Sequence, residues 1–377
     1  MRKAGAAMLL LALVGCSGGG STSTTPAAVG FPNPATEALD PAKAKVLQDV
    51  LAKIVAFPDS PAGARGATAA VITDKWAWSG AAGKDALGTA LVPTTSMGVA
   101  SITKTFVASE VMLLAKAKKI DLDAPLSTYV KHKLTANNAT VRQHLSMTSG
   151  VQDYRPEDYL RMDKVIEAAP SRHWTPEDAL SYDSMPVGAA SSPYSYSNPS
   201  YVLLGMMIEK VTGQPLATVL RRDLAAPAGL QHAAFQDAEK PQPPAAQDVN
   251  AACGKPDGYL PCRAIASLSA ANGGMAADAP TIARWGYELY GDRVLPAELV
   301  DQMTTGDGEY GLGTMLFSER FGIGTAYGHR GESSDHTCVL VVVPEKKVSV
   351  SLILADGNKN VDGVMAELTK ALQPLLG

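Results

Sequence analysis

The chain has 377 residues, 46% of them apolar, with 33 Lys+Arg against 37 Asp+Glu and a formal charge of −4. That is globular material with enough length for a large core, and it lacks the basic footprint that nucleic-acid binding requires. No apolar run reaches the roughly 18 residues of a membrane span, so none is expected.

The first signal is at the N-terminus. Arg2 and Lys3 precede an uncharged stretch, 4–15, which has the length of an export h-region and is too short to cross a bilayer. It closes on Leu13-Val14-Gly15-Cys16, similar to a bacterial lipobox, so residues 1–15 read as a lipoprotein signal peptide and Cys16 as the lipidated N-terminus. Residues 16–40 then read as a flexible tether, because 17–26 consists of Gly, Ser, Thr and Pro, which cannot bury a core. The expected location is extracytoplasmic, lipid-anchored to a bacterial membrane, at the periplasmic face of the outer membrane where the host has two.

Residues 41–377 read as one domain. Apolar residues recur at helical spacing over 42–56, and β-rich stretches at 67–73 and 75–79 are close enough to pair as a hairpin. Helices are predicted from Ser101 to about Ala117, over 201–211 and over 281–289. Strands follow at 311–317, 337–343 and 347–355, then a helix over 361–372 stopped by Pro374. The economical architecture is α+β: an antiparallel sheet built from both chain ends (about 41–100 and 295–377), flanked by helices, with a helical lobe (about 101–294) inserted and a ligand cleft between them. Cys253 and Cys262 flank the loop 254–258 and could form a local disulfide, which export permits. Cys338, inside an apolar run, reads as a small buried hydrophobe.

The chemistry gathers in three short motifs. In Ser101-Ile102-Thr103-Lys104 the two polar ends lie one helical turn apart, so the lysine amine can reach the serine hydroxyl. A serine needs such a neighbour to attack a carbonyl at neutral pH, and burial lowers an amine's pKa into the range where it can take the proton. Tyr196-Ser197-Asn198 and His329-Arg330-Gly331 are the only Tyr-x-Asn and His-x-Gly in the chain.

In this order, and with Leu122-Asp123-Ala124-Pro125, Thr148-Ser149-Gly150, Asn272-Gly273-Gly274 and Tyr310-Gly311-Leu312-Gly313 around them, these motifs resemble the penicillin-recognising serine hydrolases. The similar branch holds class C β-lactamases, D-alanyl-D-alanine carboxypeptidases and esterases, and the resemblance runs from about residue 41 to the end. It implies the β-lactamase/transpeptidase-like fold, with Ser101 as acylated nucleophile and Lys104 as its activating partner. It further implies Tyr196 as second base and proton donor, and Asn198 as the group orienting Lys104 and the substrate amide. The backbone N–H groups of Ser101 and Glu332 would form the oxyanion hole, and His329, Arg330 and Gly331 would bind substrate. No metal or cofactor is implied; the expected partners are a small-molecule or peptide substrate and, through the lipid, a membrane.

Two departures bear on substrate. β-Lactamases of this branch usually carry Lys-Thr-Gly where this chain has His329-Arg330-Gly331, and Glu332 and Asp335 make the following run acidic. A β-lactam is thereby disfavoured unless Arg330 supplies the missing charge. Relatives also usually show His where Met147 stands, and His144 reads as structural. The readings left open are a hydrolase of D-amino-acid-containing peptides or amides, an esterase, a class C-like β-lactamase, and a non-catalytic envelope lipoprotein.

Overall fold

A computed structural model describes residues 30–60, 63–306 and 308–376. The export segment, Cys16 and most of the tether lie outside the described residues. No described helix is long and apolar enough to cross a membrane.

Helix α1 (Pro41–Ala56) begins where the Asp40 carboxylate accepts the N–H groups of Ala42 and Lys43, with Pro41 in the first turn, and it buries Leu47, Leu51 and Ile54 on one stripe. Strand β1 (Gly66–Ile72) turns back into β2 (Ala77–Gly83), in the predicted hairpin. The second strand starts two residues later than expected, because the Thr73 hydroxyl bonds the Trp76 carbonyl and holds 73–76 as a turn. Residues 30–40 are not free tether: Phe31 lies edge-on to Tyr287 at 4.8 Å, and Ala35 and Leu39 bond the backbone of Thr73 and Ala77.

The central part of the chain supplies α2 (Thr103–Lys116), α3 (Pro156–Ala168), α4 (Asn198–Thr212), α5 (Arg263–Leu268) and α6 (Ala279–Tyr290). It also contains a three-stranded sheet of 97–98, 275–277 and 234–235, which the periodicity did not indicate. α6 falls within the residues assigned to the helical lobe but packs on the main sheet. There the Ser351 hydroxyl bonds the Ala279 carbonyl, and Trp285 stacks on Phe106 of α2 at 3.8 Å.

The chain end adds β3 (Met315–Ser318), β4 (Ala326–Glu332), β5 (Thr337–Val343), β6 (Val348–Leu354) and α7 (Val361–Leu372). The six strands form one antiparallel sheet in the order β2-β1-β6-β5-β4-β3, so the first and last strands of the chain are neighbours. The predicted strand 311–317 is shorter at its start, because Gly311 bonds Thr314 in a turn and Gly313 takes φ +69°. β5 is buried on both faces. Cys338, Leu340 and Val342 join the core of the helical side, whereas Val339, Val341 and Val343 join the core under α1 and α7, which is the two-residue alternation of a strand sandwiched between layers.

A serine–lysine–asparagine cluster at the lobe boundary

Ser101 sits in a short 3-10 turn (Ala100–Ile102) that leads directly into α2, with Ala100 at φ +43°. The turn is pressed against β4. A Cβ on Gly331 would lie 2.3 Å from the Val99 carbonyl and 2.5 Å from the Cys338 sulfur, so only glycine lets the strand approach this closely. Cys338 is buried and its thiol points at the Val99 carbonyl at 3.2 Å.

Lys104 is wholly buried and its Nζ has three partners: Ser101 Oγ at 3.0 Å, Asn198 Oδ1 at 2.8 Å and the Asn272 carbonyl at 2.6 Å. Burial pushes this amine down to about 7, while the charge of Asp153 acts in the opposite direction. Near neutral pH a substantial fraction of the amine is therefore unprotonated and able to accept the serine proton. Tyr196 neighbours Ser101, and its burial raises the phenol well above the ordinary tyrosine range. The phenol thus stays protonated at neutral pH and is suited to donate. Lys104 Nζ stands 4.9 Å from the centre of the Tyr196 ring.

Asn198 opens α4 with its orientation fixed from both ends. Its backbone N–H bonds Asp153 Oδ1 at 3.0 Å, its Nδ2 reaches Asp153 Oδ2 at 3.3 Å and the Tyr159 hydroxyl at 3.2 Å, and its Oδ1 is left for Lys104. Asp153, Tyr159 and the Asn272 carbonyl were not among the residues expected from sequence. Asp153 lies 45 positions from Asn198 with no local pattern to mark it. The Met147 substitution has a direct reading: at φ +61° the residue turns its Sδ toward the Ser197 N–H, 3.3 Å away, so sulfur is the acceptor beside the Tyr-x-Asn turn. His144 is buried against Ser200, with its pKa pushed down to about 3 by desolvation.

The third motif differs from expectation. Along β4 successive side chains take opposite faces, and the pairings His329 with Leu340 and Arg330 with Val339 put the histidine on the helical side and the arginine on the α7 side. Arg330 forms a bidentate pair with Asp362 of α7, its Nε 2.6 Å from Oδ1, and its guanidinium lies over Phe317. It is not a cleft residue. His329 is wholly buried, with Nδ1 2.5 Å from the Arg330 carbonyl and Nε2 3.0 Å from the Tyr310 hydroxyl. A carbonyl can only accept, so Nδ1 carries the hydrogen, Nε2 accepts from Tyr310, and neither nitrogen is left for substrate. Desolvation, with Lys104 nearby, pushes its pKa down to about 3, so it is neutral.

The cleft in front of Ser101 has a volume of about 260 Å³ and runs between α3, α5, the 260–261 segment and the backbone of 332–334. Glu332 and Ser101 both border it, and among the described residues no lysine or arginine lines it. Cys253 and Cys262 are joined as a disulfide that packs with Met162 and Ile166 of α3, so the bridge supports one wall.

The sequence model of the beta-lactamase family matches residues 50–373. The chain belongs to the beta-lactamase family. The fold and family are those of serine hydrolases. Among curated relatives, the penicillin-binding protein PbpX of Bacillus subtilis is 27% identical over 153 residues, 40% of this chain and 36% of that protein. Protein flp of Staphylococcus aureus is 29% identical over 149 residues, 38% of this chain and 29% of that protein. The chain thus spans only about a third of the length of these relatives. Among solved structures, a D-stereospecific amidohydrolase from Streptomyces sp. superposes with a TM-score of 0.72 at 25% identity, covering 86% of this chain and 98% of that one. The D-amino acid amidase of Ochrobactrum anthropi SV3 superposes with a TM-score of 0.76 at 23% identity, covering 89% and 100%, a likeness of fold.

Proposed function

We propose that this protein is a serine amidohydrolase or esterase whose substrate carries no recognised carboxylate, with amides of D-amino acids as the leading class. The observation that carries the substrate reading is the charge of the cleft. Among the described residues no lysine or arginine lines it, Arg330 is committed to Asp362, and His329 is neutral and fully bonded. β-Lactams and peptides ending in a free D-amino acid present a carboxylate that would find no counter-charge, and it would be repelled by Glu332. The D-amino acid amidase and the D-stereospecific amidohydrolase among its structural neighbours support the same class.

In the proposed reaction Ser101 Oγ forms a bond to the substrate carbonyl carbon while its proton passes to Lys104. The oxyanion is held by the N–H groups of Ser101 and Glu332, and Tyr196 gives a proton to the leaving nitrogen or oxygen as its bond to carbon breaks. Lys104 returns a proton to Tyr196; water then attacks the acyl carbon and passes its proton to Lys104, which gives it to Ser101 Oγ as the bond from that oxygen to the acyl carbon breaks and the acid leaves. Intact-mass measurement after a fluorophosphonate tests the nucleophile. The wild type gains one phosphonyl group, Ser101→Ala gains none and loses at least roughly 10³-fold in kcat, and labelling that persists in the alanine variant overturns the assignment. We further propose envelope anchoring through lipidated Cys16; Cys16→Ser should leave the membrane fraction or remain unprocessed, and a wholly soluble wild type would exclude it.

A further inference from the structure

The far end of the cleft is built differently from its catalytic end. Helix α3 presents Tyr159, Met162, Asp163 and Ile166 to it, a spacing that places all four on one helical face. Tyr159 touches Asn198, so this face starts beside the catalytic cluster and leads away from it. Met162 and Ile166 are buried, and Leu260 and Ile265 also line the cleft, so an apolar patch adjoins Asp163. Asp163 lies one helical turn beyond Tyr159, about 5–6 Å between Cβ atoms. Its carboxylate has no ion pair or hydrogen bond among the described residues, and the one charge acting on it is the like charge of Glu167.

An apolar patch beside an unpaired carboxylate fits a ligand that is greasy along its stem and cationic at its tip. We propose that Asp163 and the α3 face form a specificity subsite for a lysine-like group, an aliphatic four-carbon stem ending in an ammonium. This rests on the reading of the cleft as one that accepts no carboxylate, and it names what is accepted instead. The stem packs against the apolar lining of Met162, Ile166, Leu260 and Ile265. The ammonium replaces part of its water with the Asp163 carboxylate, which no cation among the described residues occupies. The subsite reads the side chain or a second residue of the substrate.

Calorimetric titration with n-hexylamine, n-hexanol and hexanoate, on the wild type, Asp163→Asn and Asp163→Lys, reads the subsite without any turnover. Hexylamine should bind the wild type at least about tenfold more tightly than hexanol and should lose that advantage in Asp163→Asn, while Asp163→Lys should favour hexanoate. In parallel, D-lysinamide should be hydrolysed with a higher kcat/KM than D-norleucinamide, by a ratio that falls toward one in Asp163→Asn. Equal binding of hexylamine and hexanol to the wild type, or an amine advantage that survives in Asp163→Asn, overturns the subsite whatever the enzyme hydrolyses. An amine advantage that depends on Asp163, in a protein that hydrolyses neither amide and takes no phosphonyl label, sustains the subsite and overturns the amidohydrolase reading.

Discussion

The Nζ of Lys104 stands 3.0 Å from the Oγ of Ser101, and no part of the lysine reaches solvent. The same burial that makes the amine a usable base makes it expensive to keep charged. Its pKa of about 7 in the folded protein lies below the 10.5 of a free lysine. Activity should therefore rise with pH through an acid limb near 7 as Lys104 loses its proton. A kcat/KM profile flat from pH 5 to 8 would exclude Lys104 as the base.

The same shift governs stability. Between about 7 and 10.5 the unfolded chain holds the lysine proton and the folded one does not, so folding stability rises with pH across that window. The contribution approaches about 1.4 kcal/mol per pH unit at most. Urea unfolding of wild type and Lys104→Met should differ by this slope, with the methionine variant relatively more stable at pH 6.5 than at pH 9.

Asp153 tests how the cluster is tuned. Its charge raises the Lys104 pKa, and its two oxygens hold the Asn198 backbone and side-chain amides. Asp153→Asn should move the acid limb to lower pH and reduce kcat, since one amide oxygen cannot replace two carboxylate oxygens. A lower kcat with an unmoved limb would show that Asp153 acts only by positioning Asn198.

The commitment of Arg330 to Asp362 sets an expectation for β-lactams. A short-chain p-nitrophenyl ester should exceed nitrocefin by at least roughly tenfold in kcat/KM, about 1.4 kcal/mol of differential transition-state binding. Arg330→Ala should leave that ratio unchanged while lowering thermal stability. Nitrocefin turnover that collapses in the variant would place the arginine in the cleft.

The disulfide supports the α3 wall rather than the reacting groups. Replacing both Cys253 and Cys262 by Ser should raise KM more than it lowers kcat. It should also destabilise by about 2–3 kcal/mol, as expected for a loop of separation 9. Equal losses in kcat and kcat/KM would instead tie the bridge to the catalytic cluster.

What could be read from sequence follows from how local each signal is. Ser101 and Lys104 are three residues apart on one turn, and α1 and α7 carry clear apolar stripes, so both were legible. β4 was not: Ala326–Glu332 includes two glycines, a histidine, an arginine and a glutamate, and it is a strand because it pairs with β5, which is apolar from Cys338 to Val343. Without that strand, the alternation that sends His329 inward and Arg330 outward could not be seen, and the two were expected to act together. Asp153 reaches the cluster only through tertiary folding, from a position whose neighbours show no pattern, and the Asn272 carbonyl does so from within the Asn272-Gly273-Gly274 motif, where no side chain marks a backbone oxygen as the partner.

The pairing of β1 with β6 also sets the order in which the site can exist. Ala67 faces Leu354 across that pair, so the first strand synthesised waits for the last before it has its inner neighbour. β4, which presses Gly331 against the turn of Ser101, is held in the sheet by β5, and β5 in turn by β6. Closing a loop of nearly the whole chain is slow compared with forming local helices. A nascent chain still on the ribosome, or one cut short before residue 348, therefore carries the serine and the lysine without the surface that turns them toward a substrate.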